Sequence, residues 1–308
     1  MKNPSRQESL WTRIVRGRCY YAMLAPFAVM FTAFVLAPIA ASVVMSFTDF
    51  NLVQTPDFVG LQNYIRMFFD DSVFLIAFKN TMLFALFTGP VSYVVCLFFA
   101  WLVNELRPGL RTIFTFLLYI PAMSSAVYTV WAFIFSGDQY GLVNSVLMNL
   151  GLAKEPIQWL SDPDLVIWVV IGVQLWMSLS TAFLSFLAGF QGIDRQQYEA
   201  AAIDGVSNRL QEFWLITIPN MGPQLLFGAV MQIGASFAAG EVGTALLTAA
   251  GSGTVATDYA ATTLVTHMLE MGTTRNEMGY AFAIAVFLFL MMTLFNSVIR
   301  RVLKHFTA

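Results

Sequence analysis

Charge is scarce in this chain. Asp, Glu, Lys and Arg make up 11% of its 308 residues, while 58% are hydrophobic. Soluble domains are about one quarter charged, so this composition cannot clothe a water-facing surface. The formal net charge of −2 identifies no partner by itself, and no nucleic-acid partner is expected. Cysteine is scarcer still. Cys19 and Cys96 are too few and too far apart for a disulfide framework or a zinc site.

Histidine is equally thin, with only His267 and His305. His267 and Glu270 stand one helical turn apart, but two ligands make a poor metal site. An exposed polar face is the expectation there, and no metal is expected anywhere. No phosphate-binding loop is present, because Gly251-Ser-Gly-Thr254 lacks the lysine such a loop uses. No Ser/His pair, paired Asp or His-Glu-x-x-His lies in the apolar stretches, so neither enzymatic activity nor a cofactor is expected.

What the chain does have is long uncharged runs. Six stretches carry no Asp, Glu, Lys or Arg: Cys19–Thr48, Asn80–Asn104, Thr112–Gly137, Leu165–Ile193, Phe213–Gly240 and Met278–Ile299. Each meets the roughly 20 residues a helix needs to cross the hydrocarbon core of a bilayer. Backbone in lipid must satisfy its own hydrogen bonds, and no strand-like alternation suggests a barrel. The expectation is an all-α transmembrane bundle of six helices. Pro26, Pro38, Pro90 and Pro121 fall inside these runs and are expected to make local kinks.

Lys and Arg set the orientation. Lys2, Arg6, Arg13, Arg16 and Arg18 precede the first run. Placing them in the cytoplasm brings Arg107, Arg111, Arg195, Arg209, Arg300, Arg301 and Lys304 inside as well. Twelve of the sixteen basic residues are then cytoplasmic, leaving Arg66, Lys79, Lys154 and Arg275 outside. Both termini are therefore expected in the cytoplasm. The first run is too long for the apolar segment of a cleaved signal and is read as a retained helix. The chain divides into a basic segment 1–18, a single membrane domain 19–302 and a cytoplasmic tail 303–308. The tail's basic cluster, with His305, is expected to meet anionic lipid head groups. Among the outer connections, Thr257–Met271 is expected to form a short amphipathic helix lying at the outer surface.

The inner connection 194–219 carries the most information. It reads Asp194-Arg-Gln-Gln-Tyr-Glu-Ala-Ala-Ala-Ile-Asp-Gly205 and continues to Ile216-Thr-Ile-Pro219. Asp194 suits an N-cap and Gln197 the return bond of a capping box. Glu199 to Ala202 favour helix, and Gly205 suits the left-handed residue that ends one. A helix of about three turns should stand in the cytoplasm, presented like a peg for a groove on a partner.

Glu199-Ala200-Ala201, then Gly205, then Ile216–Pro219 resembles the EAA motif. That motif marks permease subunits of binding-protein-dependent ATP-binding-cassette importers. The Gly-to-Pro spacing is one residue longer than the usual pattern, with the extra residue expected near Ser207–Arg209. Phe58–Tyr64, Trp159–Pro163 and Glu277–Ala281 resemble flanking segments of the carbohydrate-uptake subfamily. The type is that of the larger maltose-transporter permease without its additional helices and outer domain.

The resemblance implies a type I importer permease, residing in a bacterial inner membrane, that forms half of a path for a carbohydrate of oligosaccharide size. Its implied partners are a second homologous permease, a cytoplasmic ATPase dimer that binds the ATP, and an extracellular sugar-binding protein. Glu199, Ala200, Ala201, Asp204 and Gly205 would form the coupling helix that meets the ATPase. Sugars are bound by aromatic faces and by amide or hydroxyl groups. Tyr128, Trp131, Gln174, Trp176, Gln232 and Ser236 supply that chemistry at mid-membrane depth, and Trp176 resembles a tryptophan in the cavity-lining helix of the maltose permease. Singly, each could equally be a helix–helix contact; as a set, some are expected to face the path. Glu241 is read either as an acid reaching the outer interface or as a proton-coupling group. The competing function is an ion-coupled secondary transporter.

Overall fold

The computed structural model describes residues 18–124, 126–179, 181–253 and 255–306, with backbone alone for residues 181 and 302–306. Lys2, Arg6, Arg13, Arg16 and the Lys304 side chain, which were counted for the orientation, lie outside the described residues, as does the His305 side chain expected to meet lipid head groups. The architecture is all-α: among the described residues the only β pairing is an isolated bridge between Thr48 and Phe58.

Four helical stretches are long and apolar enough to cross a bilayer unaided. They are α1 (Arg18–Met45), α3 (Ser72–Asn104), the pair α7 (Pro163–Met177) and α8 (Thr181–Gln191), and α14 (Met278–Phe306). Two bent pairs pass only jointly. α4 (Pro108–Tyr119) with its 3-10 extension Ile120–Met123 meets α5 (Val127–Ile134) at 85°, and α11 (Gly222–Ala238) meets α12 (Gly240–Ala249) at 50°. Counting each bent pair as one span gives six. Pro90 lies within the continuous α3, whereas Pro121 lies in the 3-10 turn at the sharper break. Proline lacks an N–H and crowds the preceding turn, which favours such a break where neighbours hold both limbs. The apolar run expected to end at Gly240 continues through α12, so Glu241 begins the second limb of a bent pair.

Between these lie shorter helices: α2 (Gln62–Phe69), α6 (Leu142–Asn149), α9 (Arg195–Ile203), α10 (Arg209–Glu212) and α13 (Leu264–Leu269). Three apolar clusters hold the bundle. One joins Phe84 of α3 to the inner faces of α7 and α12; a second joins Phe74 and Ala77 to Phe237, Leu264 and Ile284. The third packs Cys96 and Ala100 against Phe183, Phe186 and Leu225. Gly228 of α11 lets the Phe186 ring sit directly on its backbone, where a Cβ would collide with the ring. α1 buries none of its residues in this chain.

The outer segment expected to lie on the surface is instead folded into the bundle. Thr263 and Thr266 cap α13 reciprocally, and Leu264, His267 and Met271 are buried. His267 is fully buried, not on an exposed polar face. Its Nε2 lies 2.8 Å from Asp71 Oδ2, which also accepts a 2.7 Å bond from the Tyr280 hydroxyl. Glu270 pairs with Arg275 at 2.8 Å. Burial of His267 is tolerable because Asp71, nearly two hundred residues away in sequence, supplies its partner.

Candidate functional site

The connection between α8 and α11 builds a small, well-capped helix. Asp194 Oδ1 accepts from the Gln196 N–H at 3.0 Å, and α9 follows. At its far end Gly205 takes φ +94°, the Gly205 N–H reaches Ala202 O, and the Val206 N–H reaches Ala201 O. This is a Schellman ending, and only glycine adopts that φ without strain. The return bond expected from Gln197 does not form. Its Oε1 accepts instead from Asn220 Nδ2 at 2.7 Å, while the Tyr198 hydroxyl lies 2.9 Å from Thr217 Oγ1. Tyrosine and glutamine thus moor α9 to the chain entering α11. Glu199, Ala200, Asp204 and Gly205 remain exposed, Ala201 is half-buried, and Ile203 is 87% exposed.

Phe213–Thr217 is a π turn, which takes up one more residue than an α turn. Arg209 bridges Glu212 at 3.0 Å and Glu105 at 3.5 Å, joining the connection after α8 to the one between α3 and α4. The Glu212 hydrogen bond, with the charges of Glu105 and Glu212, raises its pKa above the usual arginine value.

The six candidate pathway residues fall into two places. Trp131 and Trp176 meet edge to face at 5.4 Å, with Trp176 exposed, and Tyr128 lies one turn from Trp131 on α5. Both Tyr128 and Trp131 pack against the first apolar cluster. Glu241, exposed in the first turn of α12, interacts electrostatically with Tyr128. Gln174 is half-buried on α7. Gln232 and Ser236 sit apart in the α3–α11 interface. Gln232 Nε2 donates to Cys96 Sγ at 3.1 Å and to Ser178 O at 3.4 Å; the Ser236 hydroxyl turns back to Gln232 O and Ile233 O. Gly89 and Pro90 of α3, with Gln232 and Ser236, line an apolar groove of about 490 Å3.

Three polar anchors escaped the sequence reading. Asp71 caps α3 through the Phe74 N–H at 2.9 Å while holding His267 and Tyr280. Burial raises its pKa, but the Tyr280, Phe74 and His267 hydrogen bonds outweigh that and leave it below the ordinary value. Asn80 donates to the carbonyls of Tyr259, Ala260 and Thr262 at 3.0–3.2 Å. Asn144 is fully buried and holds the segment between α5 and α7 together. Single Asn and Asp residues beside apolar runs were the only available signal.

The comparisons agree with the architecture. Residues 92–307 match the model of the family described as binding-protein-dependent transport system inner membrane component. The arabinooligosaccharides transport system permease protein AraP of Bacillus subtilis is 31% identical over 274 residues, covering 88% of this chain and 84% of that protein. The probable ABC transporter permease protein YesP of the same organism is 34% identical over 220 residues, covering 70% and 69%. The lactose transport system permease protein LacF of Rhizobium radiobacter is 32% identical over 213 residues, covering 68% and 70%. The crystal structure of a bacterial ABC transporter involved in import of the acidic polysaccharide alginate superposes with a TM-score of 0.74 at 23% identity, covering 97% of this chain and 99% of that one. A second structure, of the alginate transporter with an alginate pentasaccharide-bound periplasmic protein, gives 0.73 at 22%. This chain belongs to the family of binding-protein-dependent transport system inner membrane components, the multi-pass permeases of ABC importers.

Proposed function

We propose that this chain is one of two permease subunits of a carbohydrate importer and that α9 is its coupling helix. The single observation that carries the reading is α9 itself. It is a rigid peg with an exposed outer face, moored by Tyr198–Thr217 and Gln197–Asn220 to the start of the bent α11–α12 pair. Ile203, 87% exposed, is an apolar contact waiting for a protein surface. A cytoplasmic ATPase that binds ATP receives Glu199, Ala200, Ala201, Asp204 and Gly205 in a cleft, and both termini of the permease lie on that side. Each bent pair counts as one span, giving six.

Closure of the ATPase dimer displaces α9, and the moorings pass the displacement to α11. Alternating access follows if the ATPase grips α9 differently in its two states, since only differential contacts shift a conformational equilibrium. An extracellular binding protein delivers the sugar, and the aromatic surface of Tyr128, Trp131 and Trp176 receives it. Sugar C–H faces stack on such rings. The named cargo of the arabinooligosaccharide and lactose relatives supports a saccharide. The exposed carboxylate of Glu241 fits a water-filled path, because an unpaired charge facing lipid is costly.

The test substitutes Gly205. No heavy atom lies within 4 Å of the position its Cβ would take, so Gly205→Arg inserts normally and projects into the ATPase cleft. Gly205→Ala carries only the strain of positive φ, about 1–2 kcal/mol. The arginine variant should lose sugar uptake and ATPase co-purification, while the alanine variant retains both in part. Wild-type uptake by Gly205→Arg would defeat the coupling assignment.

A further inference from the structure

The outer end of the aromatic surface opens into a polar vestibule that none of the candidate pathway residues accounts for. Its cavity volume is about 380 Å3, within the range of small-ligand sites. Ala132 and Leu160 form an apolar floor, Ser136, Gln158, Ser161 and Ser252 contribute polar groups to the walls, and Asp138 also lines the cavity, its Oδ1 accepting from the Tyr140 and Gly141 N–H groups at 2.9 and 2.7 Å. Among the described residues the three serine hydroxyls have no protein hydrogen-bond partner. Gln158 donates through Nε2 to Gly137 O at 2.7 Å, which leaves its Oε1 to accept from a ligand.

Asn144 fixes this frame. Its Nδ2 donates to Ser136 O, Asp138 O and Ile157 O at 3.0–3.1 Å. Its Oδ1 accepts from the Ile157 N–H at 3.1 Å and from Trp159 Nε1 at 2.9 Å. A fully buried amide with five such bonds makes the surrounding loop a rigid support instead of a loose connection. From Trp159 a row of rings runs inward: Trp159 to Phe135 at 6.0 Å, Phe135 to Trp131 at 5.7 Å, and Trp131 to Trp176 at 5.4 Å.

We propose that this vestibule is an outer saccharide subsite, taking a neutral sugar unit by its hydroxyls and passing the chain to the aromatic row. This rests on the importer reading above. Hydroxyl and amide groups beside one carboxylate, Asp138, and no Lys or Arg match an uncharged sugar, whose OH groups both donate and accept, and disfavour an anionic one. The apolar floor and the rings match its C–H faces. A chain of several units spans the vestibule and the Trp131–Trp176 surface together, whereas a disaccharide occupies only one. The vestibule therefore favours longer chains.

The experiment measures uptake by cells producing the whole transporter, from a fixed mixture of tritium-labelled arabino-, galacto- and gluco-oligosaccharides of two to six units. Ser161→Leu and Ser252→Leu fill the vestibule; Ser161→Thr keeps the hydroxyl. Expected is a KM for chains of four or more units raised about tenfold, from the lost hydrogen bonds. With membrane abundance and kcat unchanged, disaccharide uptake stays within about twofold, and Ser161→Thr restores long-chain uptake. Equal KM values for all chain lengths in both leucine variants would overturn the subsite alone. A wild-type transporter that takes up nothing from the mixture would overturn the importer reading together with it.

Discussion

Replacing His267 with alanine should destabilise the protein by about 3 kcal/mol, and the size follows from the geometry. The imidazole is fully buried, and its Nε2 lies 2.8 Å from a carboxylate whose side chain is only 9% exposed. Losing a donor to a charged acceptor costs about 1.5–3 kcal/mol. The emptied space adds about 24 cal/mol per Å3, or roughly 1 kcal/mol if the site partly collapses. The Tyr280 and Phe74 donors stay on Asp71, so the loss falls at the lower end of the 3–5 kcal/mol seen when a buried pair is fully broken. Because Nε2 makes the contact, glutamine, whose amide reaches as far, should recover about half of the loss. Asparagine mimics Nδ1 and should recover little. Thermal unfolding of the purified variants in detergent at neutral pH measures this. A loss below about 0.5 kcal/mol for His267→Ala, or equal recovery by Asn and Gln, would refute the reasoning.

The same site gives a pH signature. The pKa of Asp71 is lowered from 3.8, so its contribution is complete above that value and disappears as pH falls through the folded-state pKa. The gap between wild type and Asp71→Asn should therefore be full at neutral pH and narrow on acidification below about pH 4.

Two smaller tests address the scaffold. Gly228→Ala places a methyl against the Phe186 ring and should cost about 1–3 kcal/mol in the same unfolding assay; an unchanged midpoint would refute the α8–α11 packing. Arg209→Gln breaks the link between the connection after α8 and the one between α3 and α4, but the Arg209 side chain is 67% exposed, so stability should fall by less than about 1 kcal/mol and the difference should shrink in salt.

The long apolar runs and the capped loop were legible because each depends on local chemistry. Uninterrupted hydropathy over residues 19–48 or 278–299 needs no tertiary information, and neither does the Asp194 cap or the Gly205 ending. The size of the breaks was not legible. A local kink was expected at Pro121, but not an 85° turn, and the run expected to end at Gly240 instead continues at 50° into α12; both angles depend on which neighbours hold each limb. His267 looked like part of a polar face because its partners, Asp71 and Tyr280, lie on other helices. Gln232 offered sugar-binding chemistry, yet its amide N–H is directed at Cys96 and Ser178 O, a fact visible only after α3, α8 and α11 pack.

The most direct measurement of the central claim is disulfide trapping at α9. Ala200→Cys, in a background where Cys19 and Cys96 are replaced by serine, is combined with a single cysteine introduced in the cleft of the ATPase subunit and oxidised in native membranes containing the whole transporter. The account requires a cross-link to the ATPase subunit that strengthens or weakens when a non-hydrolysable ATP analogue is added. Modification of Ala200→Cys by a membrane-impermeant thiol reagent from outside the cell, with no ATPase adduct in either nucleotide state, would contradict it.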